Sequence, residues 1–200
     1  FLYSVYLKYQ NSRLEILEKS TFFTSTLSKK EITEKYNLIE EQLFDFANFR
    51  EAEVTLLYIN KPLEVDTRNI LLRCSGLTKN IVLPLFSAEN NGTKLYKVSN
   101  IKTDLKPGAN NILEPDPDRC KPITIDDVDI AIIPGIAFDE KGGSIGIGNG
   151  RYDRILSKLP VTARKVACAT EDQMTQAIPM ESHDKYVDII ITDKRIIYKI

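Results

Sequence analysis

Five of the chain's nine glycines fall within positions 142–150, as Gly142, Gly143, Gly146, Gly148 and Gly150. Such density exceeds ordinary turn punctuation. The run follows an apolar stretch, Val128-Asp129-Ile130-Ala131-Ile132-Ile133, of the kind that forms a central strand covered on both faces. Tyr152 to Lys158 then reads as a short helix stopped by Pro160. Strand, long glycine loop and helix start form the arrangement in which open α/β sheets bind ligands, at the carboxyl ends of strands. Successive backbone N–H groups of such a loop can converge on an anion. The Walker loop fails here, because Asn149 stands where its lysine belongs. The Rossmann fingerprint fails too, because the spacing is Gly146-x-Gly148-x-Gly150.

Charge favours an anion at this loop. Lys141, Arg151, Arg154, Lys158, Arg164 and Lys165 face a single acid, Asp153, between positions 141 and 165. The competing reading is a flexible loop followed by a solvated basic helix. Asp153 likewise has two readings. It holds Mg²⁺ on a nucleotide, since hard oxygen ligands suit that ion, or it pairs with Arg151 or Arg154.

The rest of the chain sets the fold class. Ser28-Lys29-Lys30-Glu31 is a capping box. The apolar residues Ile32, Tyr36, Ile39, Leu43 and Phe46 then make one face of a helix over roughly 29–47. Strands are expected at Glu53–Ile59, at Ile81–Pro84 and ended by that proline, and at Leu95–Val98. Thr67 or Asp66 caps a helix through Leu72. Residues 100–127, with four of the nine prolines, read as a long irregular loop. Further strands are expected at Val166–Ala169, Val187–Thr192 and Ile196–Ile200. Strands alternating with helices predict an α/β sandwich with a mostly parallel sheet. Residues 1–200 read as one domain, with residues 1–27 the least explained. The apolar start, Phe1 to Leu7, is either a surface helix or the remnant of a targeting segment.

Composition narrows the function classes. Twenty-seven basic and 28 acidic side chains give a net charge of −1. That removes the global basic field of a non-specific nucleic-acid binder. No apolar run reaches the ~18 residues of a membrane span. Cys74, Cys120 and Cys168 form no zinc or disulfide pattern, which favours a reducing compartment such as the cytoplasm. An organelle stays open if the start is a targeting remnant. One histidine, His183, excludes a multi-histidine metal site.

The residues resemble those of the 5-formyltetrahydrofolate cyclo-ligase family. Pro134-Gly135-Ile136-Ala137-Phe138-Asp139 and Gly146-x-Gly148-x-Gly150-x-Tyr152-Asp153-Arg154-x-Leu156 carry the likeness. Glu64-Val65-Asp66-Thr67 looks like the family's Glu-x-x-Thr segment. Gln173, Pro179, His183-Asp184 and Val187-Asp188 resemble its C-terminal segment. The resemblance implies a three-layer α/β/α fold shared with sugar-phosphate isomerases and CoA transferases. It implies conversion of 5-formyltetrahydrofolate to 5,10-methenyltetrahydrofolate, driven by ATP and Mg²⁺. By position, Gly146, Gly148, Asn149, Gly150, Arg151, Tyr152 and Asp153 would form the ATP loop. Arg151 and Tyr152 would act on the transferring phosphoryl group. Glu64, Gly148 and Tyr152 would touch the folate, Glu64 through the pterin. Ile136 and Phe138 would line the folate cleft or anchor the loop in the core. Asp153 and Asp184 would ligate Mg²⁺, and His183 would orient its neighbour. The implied partner is the folate, polyglutamylated forms included, with no nucleic acid or membrane, and the chain is expected to be a monomer or weak dimer.

Two positions depart from the family's pattern. Ser144 stands where an arginine is usual, and Arg151 where an aromatic is usual, so Arg151 is read as compensating for the lost guanidinium. The family's first-helix Lys and Arg, four residues apart, have no gap-free match. Lys8 and Arg13 are five apart, and Lys19 lacks a basic partner. Two other readings stay open: a divergent non-catalytic relative that binds folate or nucleotide, and a phosphosugar isomerase or CoA-transferase relative.

Overall fold

The computed structural model describes residues 2–87, 92–108, 111–146 and 150–199, with the backbone alone for residues 2–11. The opening segment is helical: α1 runs Leu2–Thr26. Ser28 then caps α2 (Lys29–Asp45). Its Oγ accepts from the Glu31 N–H at 3.2 Å, and its own N–H donates to Glu31 Oε2 at 2.8 Å. A cap of this kind stabilises by about 1 kcal/mol. The helix stops at Phe46, whose extended backbone leads into α3 (Ala47–Glu51).

The chain then builds its sheet, with β1 (Val54–Leu56), α4 (Arg68–Ser75), β2 (Asn80–Phe86) and β3 (Thr93–Lys97). Pro84 does not end β2. Val82 accepts from Leu57 on the β1 side, and alternate residues point the same way, so position 84 faces β1. The β1 pairing stops at Val82, so the missing N–H breaks no ladder bond. At α4, Thr67 occupies the N-cap, but its hydroxyl donates to Tyr58 O at 2.6 Å, and the Asp66 carboxylate accepts the Arg68 N–H instead.

The proline-rich stretch is not irregular throughout. It holds β4 (Leu105–Pro107), β5 (Leu113–Pro115) and β6 (Lys121–Ile123). Their prolines sit at strand ends, or in β6 at a sheet edge, where no ladder donor is needed. Then follow β7 (Ile130–Ile133), β8 (Ala137–Asp139), β9 (Ser144–Ile145), α5 (Arg151–Leu156), β10 (Arg164–Cys168), β11 (Met174–Thr175), β12 (Ile189–Ile191) and β13 (Ile196–Tyr198).

Among the described residues, eight strands form one sheet in the order β13-β12-β10-β7-β1-β2-β3-β6. Its five central strands are parallel. Both edges are antiparallel, so the expected mostly parallel sheet holds only at the centre. The links from β2 to β3 and from β12 to β13 are too short for the crossover that parallel pairing requires.

Alternation within the central strands splits the core in two. Ile130, Ile132, Val166 and Cys168 pack with Ile39 and Leu43 of α2, Phe49 of α3 and Ile70 of α4. Ala131, Ile133 and Ala167 face the other way, with Ile155 and Leu156 of α5. The result is three layers, α/β/α. Helix α1 lies apart from both, with Ile16 and Leu17 on a small cluster of Ala137, Ile145 and Ile178.

Candidate active site

A cavity of about 500 Å³ opens at the carboxyl ends of β1 and β7. It takes Ile59, Lys61 and Glu64 from the loop after β1, and Pro134 from the loop after β7. The start of α5 adds Gly150, Arg151, Tyr152 and Asp153. Arg13, Leu14 and Leu17 of α1 form one wall, and Glu181, His183 and Asp184 another.

Glu64 is held by a tight turn. Leu63 before it lies at φ 73°, a left-handed conformation uncommon for a branched side chain. Glu64 N–H donates to Lys61 O at 3.2 Å, and Glu64 Oε2 accepts the Lys61 N–H at 2.7 Å. Burial pushes the Glu64 carboxyl above its ordinary range, while the Lys61 N–H and ammonium pull it back. Tyr152 packs edge-on against Phe86, with ring centroids 5.7 Å apart. Burial, with the Glu64 charge adding to it, pushes its phenol far up, so Tyr152 stays a neutral O–H donor. The Arg151 guanidinium stands 5.2 Å from the centre of the same Phe86 ring.

The glycines divide by role. Gly142 has φ 86°, and a Cβ there would run into the Val187 carbonyl. A Cβ on Gly143 would come within 2.9 Å of the Asp139 carboxylate, which accepts the Gly143 and Lys141 N–H groups. Those two glycines therefore serve packing of the loop on Asp139 and Val187. Gly146 and Gly150 line the cavity. Gly148 and Asn149 lie outside the described residues.

Asp184 and Asp153 are linked through the 181–185 turn. The Lys185 N–H donates to Asp153 Oδ1 at 2.9 Å. Asp184 Oδ2 accepts the Glu181 N–H at 2.8 Å and Arg13 Nη1 at 2.7 Å. Arg13 Nη1 also donates to Pro179 O at 2.8 Å, which ties α1 to this segment. His183 is exposed, with Nε2 3.5 Å from Asp184 Oδ1.

With this geometry in place, the chain can be compared with known proteins. The model of the 5-formyltetrahydrofolate cyclo-ligase family matches residues 10–193. The chain belongs to that family. A 5-formyltetrahydrofolate cyclo-ligase of Mycolicibacterium smegmatis is 35% identical over 82 residues, 41% of this chain and 42% of that protein. A mitochondrial 5-formyltetrahydrofolate cyclo-ligase of Arabidopsis thaliana is 28% identical over 189 residues, covering 82% of this chain and 68% of the relative. The solved structure of Aquifex aeolicus 5,10-methenyltetrahydrofolate synthetase superposes with a TM-score of 0.81 at 28% identity, covering 94% and 92% of the two chains.

Several site expectations change against this geometry. Ile136 and Phe138 do not line the cavity. They are 1% and 0% exposed, and Phe138 packs into the core beneath the glycine loop, so they are anchors rather than cleft residues. The basic segment does not gather at the cavity either. Of its six cations only Arg151 lines it, while Arg13 and Lys61 arrive from distant positions. Leu14, Leu17, Phe86 and Pro134 also line the cleft, with no signal in the sequence that marks them for it. Arg13, one of the basic residues weighed against the family's first-helix pair, stands at the cavity.

Two aspartates, Asp153 and Asp184, border the cavity. Among the described residues no group of three or more metal-binding side chains forms. Among the described residues, Asp153 Oδ1 takes the Lys185 amide and Asp184 Oδ2 takes Arg13 and Glu181, while His183 Nε2 stands 3.5 Å from Asp184 Oδ1. Two carboxylates at one cavity suit Mg²⁺, an ion held by one or two carboxylates together with phosphate oxygens and water. No described helix is long and apolar enough to cross a membrane.

Proposed function

We propose that this chain closes 5-formyltetrahydrofolate to 5,10-methenyltetrahydrofolate, with ATP converted to ADP and phosphate. The observation that carries the reading is one cavity combining a buried acid, Glu64, with the Gly150–Asp153 turn, in a chain of the cyclo-ligase family. The chemistry explains the residue types. A formamide oxygen is a poor leaving group. Transfer of the γ-phosphoryl onto it, with ADP departing, gives an imidate phosphate. N10 of the folate then attacks the formyl carbon, phosphate leaves with the oxygen, and the N10 proton is lost. In-line transfer depends on positioning and charge neutralisation more than on acid–base groups, so a site with one exposed histidine suffices.

In this reading Glu64 accepts hydrogen bonds from the amino and ring N–H donors of the pterin. Gly146 and Gly150, with Gly148 and Asn149 between them, let phosphates approach the backbone. Arg151 is the guanidinium that faces the transferring group in place of the arginine missing at Ser144. Tyr152, neutral throughout the working range, donates a hydrogen bond. Asp153 and Asp184 are the carboxylates that would hold Mg²⁺, which would supply charge neutralisation on the phosphates. The folate is bound with or without its polyglutamate tail. Three free and buried cysteines suit a reducing compartment.

The test is direct. Protein, 5-formyltetrahydrofolate, ATP and Mg²⁺ are mixed, and methenyl absorbance is followed in the near ultraviolet. Signal that requires both ATP and Mg²⁺ supports the reading. Folate binding without turnover would favour a non-catalytic binder, and no folate binding would sink both.

A further inference from the structure

Gln173 lies 110 positions from Leu63 and is 2% exposed. Its Nε2 donates to three backbone carbonyls: Leu63 O at 3.1 Å, Ile136 O at 3.2 Å and Gly135 O at 3.4 Å. Its Oε1 accepts the Thr170 N–H at 2.8 Å. The orientation of the amide is fixed by these partners, since carbonyls only accept and the Thr170 N–H only donates. Gln173 therefore joins three segments: the loop after β1, the loop after β7, and the turn after β10.

The contact to Leu63 is the informative one. Leu63 holds the left-handed φ of 73° directly before Glu64. A residue there persists only where its surroundings over-determine it. The Lys61–Glu64 turn supplies one constraint from within the loop. The buried Gln173 amide supplies the other, from the turn after β10.

We propose that Gln173 is a positioning residue for Glu64, holding the strained Leu63 carbonyl so that the Glu64 carboxylate is presented to the pterin. The proposal rests on Glu64 binding the folate. Gln173 does not line the cavity at Glu64, so its effect passes through the backbone. Of its three carbonyl partners, Leu63 O is the one next to Glu64, so folate binding is where its loss is felt most.

The test uses Gln173→Met, which keeps volume and removes the donors, with Gln173→Glu as the alternative if the methionine variant does not fold. Either variant weakens 5-formyltetrahydrofolate binding about tenfold and leaves ATP binding within about twofold. In a Glu64→Gln background the same change adds almost nothing, because the group it positions is gone. Leu63→Gly restores most of the lost folate affinity, since glycine adopts a positive φ without strain. Equal losses for folate and ATP, full additivity with Glu64→Gln, or no rescue by Leu63→Gly overturns the proposal. If Glu64→Gln alone leaves folate affinity unchanged, the assignment of Glu64 to the pterin is what fails, and the proposal falls with it.

Discussion

Arg13 Nη1 and Asp184 Oδ2 meet at 2.7 Å across 171 positions of sequence. The pair is mostly shielded, with side chains 19% and 7% exposed, so water screens it little. It fixes α1 as a wall of the cavity. Arg13→Met leaves Asp184 uncompensated and removes the bond to Pro179 O. The expected loss is about 2–3 kcal/mol in urea unfolding, with α1 becoming sensitive to limited proteolysis. A loss below about 0.5 kcal/mol would return the pair to the class of surface bridges.

Asp153→Asn keeps size and the bond from the Lys185 amide, but removes the negative charge at the cavity. Turnover at saturating Mg²⁺ is expected to fall by orders of magnitude, on the order of 10²-fold or more. Folate binding should be unchanged. Wild-type turnover in this variant would take Asp153 out of the metal site.

Arg151 carries the guanidinium that the family's pattern places elsewhere. Arg151→Ala should raise the ATP Michaelis constant and lower turnover together, by about tenfold in kcat/KM. Placing arginine at Ser144 in the same variant should recover part of the loss, because both positions line the same cavity. Steady-state kinetics with ATP varied would separate the two. An unchanged ATP constant and turnover in Arg151→Ala would end the compensation argument.

Glu64 makes stability depend on pH with a definite sign. Its carboxyl titrates higher in the folded chain than in the unfolded one, because burial disfavours the anion. Above the ordinary value of 4.5 the native state therefore binds more protons than the unfolded state. Stability from this group falls as pH rises through the window up to the raised folded value, and stays lower at neutral pH. Glu64→Gln should flatten that slope, raise the neutral unfolding midpoint and weaken folate binding to a still measurable level. Stability gained with binding weakened is the expected signature of a strained binding site. Denaturant midpoints from pH 4 to 8, compared between the two proteins, would measure it; parallel curves would refute it.

Local patterns made much of the fold legible. The Ser28–Glu31 spacing set the start of α2, and the steps from Ile32 to Leu43 set its buried face. The apolar runs at 130–133, 166–168 and 189–191 are parallel central strands because they are covered on both sides. Glycine density before Tyr152-Asp153 marked the loop that borders the cavity. Each of these signals lies within a few residues, where backbone geometry alone relates position to direction.

Sequence by itself determined the α/β class, the capped helix, the apolar central strands and the family. Tertiary structure alone decided that Arg13 reaches Asp184, that Gln173 reaches Leu63, and that Ile136 and Phe138 turn inward beneath the loop. It also decided that Pro84 sits within a strand, where β1 has already ended. The reason is range. Periodicity and capping act over one turn or one pleat, whereas these contacts join segments that only sheet order and loop path bring together. Within the basic stretch at 141–165, net charge could be counted in advance. Which of its cations lines the cavity depended on where each backbone segment pointed.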